Sequence, residues 1–195
     1  MRTLNRAGQE AAPFELLVAV IVMTFVIGAG LVAINYLNQE KCKGEADSSV
    51  ENMKTAIETV AKSQGHASVS FTIPGCFRAS TDRGCSYSSD PEGAKLCIRH
   101  MDDETVCSHY CGGSSRSCYL LMFSSANYHS VRCLRISSMT NFLADAPCDP
   151  AQPGEGWVLE NWGSESIREG QYKLLNPFGL DADAPIVCPY RRVSG

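Results

Sequence analysis

The chain carries none of the short motifs that announce an enzyme. It has no Gly-x-Ser-x-Gly elbow; "GGSSRS" at residues 112–117 and "GSES" at 163–166 do not fit one. It has no His-Glu-x-x-His metalloprotease helix and no glycine-rich phosphate loop ending in Lys-Ser/Thr. The Cys-x-x-Cys knuckles of structural zinc sites are absent. No Asn-x-Ser/Thr acceptor occurs, so standard N-glycosylation is not expected. Positive charge is not in excess either: 17 Lys and Arg against 21 Asp and Glu leave a net charge of −4. A nucleic-acid partner, which needs a basic face or stripe, is therefore not expected. No internal repeat or low-complexity tract stands out. The absences point to an assembly or binding protein rather than an enzyme, with no cofactor and no metal. A membrane-tethered hydrolase would need a cleft that gathers His100 or His109 with carboxylates.

Charge is missing altogether from residues 16–34, where Thr24 is the one plainly polar side chain. As a helix this run spans about 28 Å, close to the roughly 30 Å core of a bilayer. It is apolar on every side, unlike an amphipathic core helix. A cleaved secretory signal has a shorter apolar stretch of about 7–15 residues. Gly28-Ala29-Gly30 imitates its cleavage site, but the run continues to Ile34, which favours retention. Pro13 lacks an N–H and suits the first helical turn, so the helix is expected to start near Ala12 or Pro13. Glu15 then falls in the first turn, where the helix dipole favours a carboxylate.

Ten cysteines are present: Cys42, Cys76, Cys85, Cys97, Cys107, Cys111, Cys118, Cys133, Cys148 and Cys188. All follow the apolar run. An even, irregularly spaced set on one side of a membrane segment reads as a disulfide framework of up to five bridges. Disulfides persist in oxidising compartments, which places this part outside the cytoplasm. Arg2 and Arg6 on one flank face Lys41 and Lys43 on the other, so charge leaves orientation open and the cysteines decide it. The rival reading is zinc, for which Cys107, His109 and Cys111 are the best candidates. Sequence spacing does not assign the pairing.

Further along, Val50, Met53, Ile57 and Val60 recur at three- and four-residue steps, an amphipathic helix. Ser48 and Glu51 form a capping box, Gly65 is a terminator, and Gly44 either breaks or kinks the join to the membrane helix. "HASVSFTIPG" alternates Ala67, Val69, Phe71 and Ile73 against polar residues and reads as a half-buried strand. "AKLCIRH" and "ETVCSHY" flank Met101-Asp102-Asp103 as a hairpin, with Cys97 facing Cys107. "SCYLLMF" is a central strand and "HSVRCLRIS" another, with Asn127 in the turn before it. Residues 141–156, with Pro147, Pro150 and Pro153, form a surface loop held by Cys148. "GWVLENW" and "GQYKLLN" form a later hairpin, and "APIVCPYRR" a last strand that Pro189 places at a sheet edge. Asp181-Ala182-Asp183 lacks most of a calcium loop and reads as a polar loop. Trp157, Trp162 and Tyr172 offer either a ligand-stacking surface or core, with core favoured in strands. The fold class is α+β: a long N-terminal hydrophobic and amphipathic helix, then a disulfide-rich, mainly antiparallel β head.

The first 65 residues resemble a type IV pilin or an archaeal class III signal-peptide protein. The resemblance rests on Arg2 and Arg6, on Ala7-Gly8-Gln9, and on Glu15 just before an apolar helix that precedes an external domain. It implies a leader over residues 1–10, removed by a prepilin-type peptidase, and a transmembrane stem over 11–38. An amphipathic helix over 39–65 and an extracellular β-rich domain over 66–195 follow. The processing and assembly residues are Gly8, Gln9, Ala11 and Glu15. A cut after Glu10 makes Glu15 the fifth mature residue, where the family pairs a glutamate with a neighbour's N-terminal amine. The family's usual cut, after Gly8, makes it the seventh and puts Pro13 fifth. The resemblance implies a single-pass cell-membrane protein, either a filament subunit or a minor component, that self-assembles through its helix. The other reading is a single-pass receptor or ligand-binding module that never polymerises.

Overall fold

The computed structural model describes residues 11–63, 65–85, 93–143, 148, 153–177 and 184–193. The chain divides into two compact units, Met1–Lys41 and Cys42–Gly195. The first unit is helical throughout its described part. The second is an α+β head with two antiparallel sheets.

One helix, α1 (Ala11–Lys62), contributes to both units. Gly44 does not end it. Ser48, expected as a cap, is therefore mid-helix, and its hydroxyl donates 2.9 Å back to the Gly44 carbonyl. The helix is described from Ala11 onward, and Pro13 and Glu15 both lie within it.

Within the head, the second half of α1 buries Ala46, Val50, Met53, Ile57 and Val60 along one face. Met53 and Ile57 are 0% exposed. These residues share one hydrophobic cluster with Leu96, Ile98, Leu121 and Phe123 of one sheet and Phe71, Tyr172 and Leu174 of the other. Burying each large aliphatic side chain stabilises by roughly 1.5–3 kcal/mol. Polar contacts fix the helix in register: Asn176 Nδ2 donates to the Val60 carbonyl at 3.2 Å, and the Arg135 N–H donates to Glu58 at 2.8 Å.

The four-stranded sheet has the order β1 (His66–Phe71), β6 (Gly170–Leu175), β7 (Cys188–Arg192), β5 (Trp157–Leu159). In β1, Ala67, Val69 and Phe71 face inward, as the alternation predicts. The expected β5–β6 hairpin does not form, because β7 lies between them and pairs with both. Nor is β7 an edge. The Pro189 carbonyl accepts from the Glu160 N–H at 2.9 Å, one residue past the end of β5. A residue's N–H and C=O face the same neighbouring strand. The missing proline donor thus falls where that three-residue strand has already ended.

The three-stranded sheet has the order β2 (Lys95–Met101), β3 (Cys118–Ser125), β4 (Tyr128–Leu134), with the apolar β3 central as expected. Residues 104–111 correct the sequence reading. They form α2 (Glu104–Cys111) and not the second strand of a hairpin. The Asp103 carboxylate accepts from the N–H groups of Thr105 and Val106 at 2.8 and 3.1 Å, an N-cap that outweighs the weak β pattern. Gly112, with φ of 70°, ends the helix. Consequently β2 pairs with β3, and Cys97 does not meet Cys107. Asp181 and Asp183 lie outside the described residues, as do Pro147 and Pro150.

Candidate assembly helix and cross-linked head

Every residue from 14 to 41 is exposed. The apolar ones include Phe14, Leu16, Leu17, Ile21, Phe25, Val26, Leu31 and Ile34, on all sides of the helix. This is one helix near the N-terminus that is long and apolar enough to cross a membrane. The Thr24 hydroxyl donates to the Val20 carbonyl at 2.8 Å, so this polar group is satisfied within the helix itself. Two shallow apolar grooves run along the helix. One is lined by Phe14, Val18, Val22 and Val26 with Glu15 at its end; the other includes Val20, Thr24, Gly28 and Val32. A methyl added at Gly28 or Gly30 would meet nothing within 4 Å.

Among the sequence-predicted residues, Glu15 is exposed beside Phe14, and Ala11 is the first residue of the described helix. Gly8 and Gln9 lie outside the described residues. The ten cysteines form five disulfides: Cys42–Cys76, Cys85–Cys97, Cys107–Cys118, Cys111–Cys133 and Cys148–Cys188. No free thiol is left. Cys107 and Cys111 are thereby removed as zinc ligands. His109 instead meets the Tyr110 ring edge-on at 4.7 Å. His100 lies 3.5 Å from the Asp102 carboxylate and packs on Tyr119, with ring centroids 4.8 Å apart.

The bridges have distinct mechanical tasks. Two of them clamp the middle and the C-terminal end of α2 to the three-stranded sheet, Cys107 to β3 and Cys111 to β4. They enclose a satellite cluster with Leu120, Met101, Met122 and Val131. Cys148–Cys188 fixes Cys148 on the outer face of β7, beside Tyr190, Trp157 and Leu159. Cys42–Cys76 ties α1 to the segment after β1. Trp162 and Tyr172 are core, meeting edge-to-face at 5.2 Å. Trp157 is half-buried with the Lys173 ammonium 5.0 Å over its ring.

Two polar clusters were not legible in the sequence. In the first, Asp47 accepts from the Ser130 hydroxyl at 2.6 Å and from Arg132 Nη2 at 2.8 Å. Burial pushes the Asp47 carboxyl up. The Ser130 and Tyr128 hydroxyls and the Arg132 guanidinium outweigh it and hold the group below its usual value. In the second, the buried Glu160 carboxylate pairs with Arg191, accepts from the Tyr172 hydroxyl at 2.9 Å, and lies 3.8 Å from Arg168 Nε. Burial and then the Glu160 charge raise the Tyr172 phenol, so it stays a donor. Each cluster joins residues distant in sequence, and no local motif marks either.

The described parts therefore combine an exposed apolar helix with a β head cross-linked by five disulfides. Among the described residues, no group of three His, Cys, Asp or Glu side chains is placed to hold a metal ion. No known family model, curated protein or solved structure matches the chain.

Proposed function

We propose that this chain is a pilin-like surface protein, anchored in the cell membrane by residues 16–34, with its disulfide-linked head outside the cytoplasm. It acts as a filament subunit or minor component, and its role is assembly rather than catalysis. The observation that carries the reading is α1 itself. It is one helix of 52 residues, exposed and apolar in its first half and built into the head core in its second. Such a helix makes a stem and a head scaffold from one element. The head's five disulfides suit an oxidising exterior.

Assembly proceeds by lateral packing of the apolar helices of neighbouring copies. A prepilin-type peptidase removes the leader, and Glu15 at the edge of the apolar run sets register against a neighbour's freed amine. A carboxylate in an apolar setting is costly unless a cation pairs with it, which favours one register over others. The deciding experiment is the N-terminal mass of protein purified from membranes. A mature chain beginning at Ala11 or Gln9 is expected. An intact Met1 overturns the processing route and leaves a non-polymerising anchored module.

A further inference from the structure

The outer face of the four-stranded sheet carries positive charge that the head does not neutralise. In β6, Tyr172 and Leu174 point into the core, so Gln171 and Lys173 point away from it. In β1 the same alternation leaves Ser68 and Ser70 on that outer face. Antiparallel register adds the other two strands: Lys173 lies opposite Tyr190 of β7, and Trp157 of β5 lies opposite Arg192. Cys148 covers this face only at Cys188 and Tyr190. Ser68, Ser70, Gln171 and Arg192 stay exposed, and Lys173 and Trp157 are half-buried.

Both cations on this face are positioned by neutral groups. The Lys173 ammonium lies 5.0 Å over the Trp157 ring, and Arg192 Nη1 donates to Gln171 Oε1 at 3.4 Å. Among the described residues no carboxylate pairs with either cation. Glu169, which precedes β6, accepts from the Ile73 N–H at 2.7 Å instead. Elsewhere on the head Lys54, Arg132 and Arg191 each meet a carboxylate. A cation–π contact or an amide hydrogen bond holds a charge in place and leaves it uncompensated. On a chain of net charge −4, such a face selects an anionic partner. The neighbouring side chains narrow its chemistry. Ser68, Ser70 and Gln171 are neutral hydrogen-bonding groups beside the cations. Two charges are too few for a nucleic-acid backbone, which needs a basic stripe. The exposed side chains are polar, which does not suit insertion into lipid. Four strands span about 14 Å, room for a short oligosaccharide. Sparse charge among hydroxyl and amide groups matches a polymer whose own charges are sparse among hydroxyls.

We propose that this face binds an acidic glycan, its uronate carboxylates against Lys173 and Arg192 and its hydroxyls against Ser68, Ser70 and Gln171. Binding here is independent of whether the N-terminal helices polymerise. The direct test titrates the full oxidised chain, in polyoxyethylene micelles, into a fluorescently labelled tetragalacturonate and reads anisotropy. Saturable binding is expected. The fully methyl-esterified oligomer, with the same rings and no charge, should bind at least about tenfold more weakly, as expected for loss of charge-assisted hydrogen bonds. Lys173→Gln and Arg192→Gln should each weaken the acid form roughly five- to tenfold. Lys54→Gln removes a cation already paired with Glu51 and should leave the affinity unchanged. Circular dichroism of each variant should match the parent, because both substitutions lie on the surface of a cross-linked head. Equal binding of ester and acid, an affinity unmoved by Lys173→Gln and Arg192→Gln, or a tetraglutamate peptide that binds as tightly as the acid oligomer would each overturn the proposal.

Discussion

The Cys42–Cys76 bridge allows the cross-linking argument to be tested quantitatively. Its residues are 34 apart in sequence, and Cys42 is 7% exposed. Replacing both cysteines by alanine removes the cross-link without burying a hydroxyl or leaving a free thiol. Loop-closure entropy for a loop of this length is worth about 4 kcal/mol at 25 °C. Trp162, 0% exposed in the core, reports unfolding of the head by fluorescence. With a guanidinium m-value of about 4 kcal/mol/M for a domain of this size, the midpoint should fall by about 1 M. The m-value should also rise, because the unfolded chain loses a constraint and exposes more surface. The matched control is the pair Cys107→Ala and Cys118→Ala, which opens a loop with a separation of 11. Chain entropy assigns this shorter bridge about 3 kcal/mol. A Cys42/Cys76 variant with an unmoved midpoint, or one that loses less than the control, would refute the chain-entropy account.

Other perturbations test separate parts of the fold. Ile57→Ala removes a fully buried side chain from the helix face and should cost about 2–5 kcal/mol in the same unfolding assay. Gly170 has φ of +148°, and an added Cβ would lie 3.1 Å from Arg191 Cδ. Gly170→Ala should therefore lower the melting temperature by several degrees, for a cost of roughly 1–3 kcal/mol. Asp47, held low in the folded state, adds stability above the unfolded carboxyl value of about 4 and loses it as pH falls through the folded value. Asp47→Asn should lower the melting temperature at neutral pH and flatten its decline below about pH 4; an identical acid limb would exclude that contribution.

The first half of α1 was readable from sequence because a run long and apolar enough to cross a membrane obeys a simple rule. Residues 16–34 carry no charge, and their apolarity needs no partner within the chain to be recognised. The second half was readable because Val50, Met53, Ile57 and Val60 follow the helical period, and the structure buries all four. Strands β1, β3 and β4 were likewise set by local alternation or apolar runs. The pairing of the cysteines was not readable. Cys97 finds Cys85 rather than Cys107, because Asp103 starts a helix where alternation suggested a strand. A local capping interaction thereby redirects long-range pairing.

Sequence alone determined the class of this protein: an apolar helix, an amphipathic continuation, and an even cysteine set after it. These follow from periodicity and composition, which are properties of neighbours along the chain. Only the tertiary structure decided what meets across distance. It placed β7 between β5 and β6, joined Asp47 to Arg132, buried Glu160 with Arg191, and set Lys173 over Trp157 on one sheet face. Strand register and loop closure set those meetings, and neither leaves a local trace in the sequence.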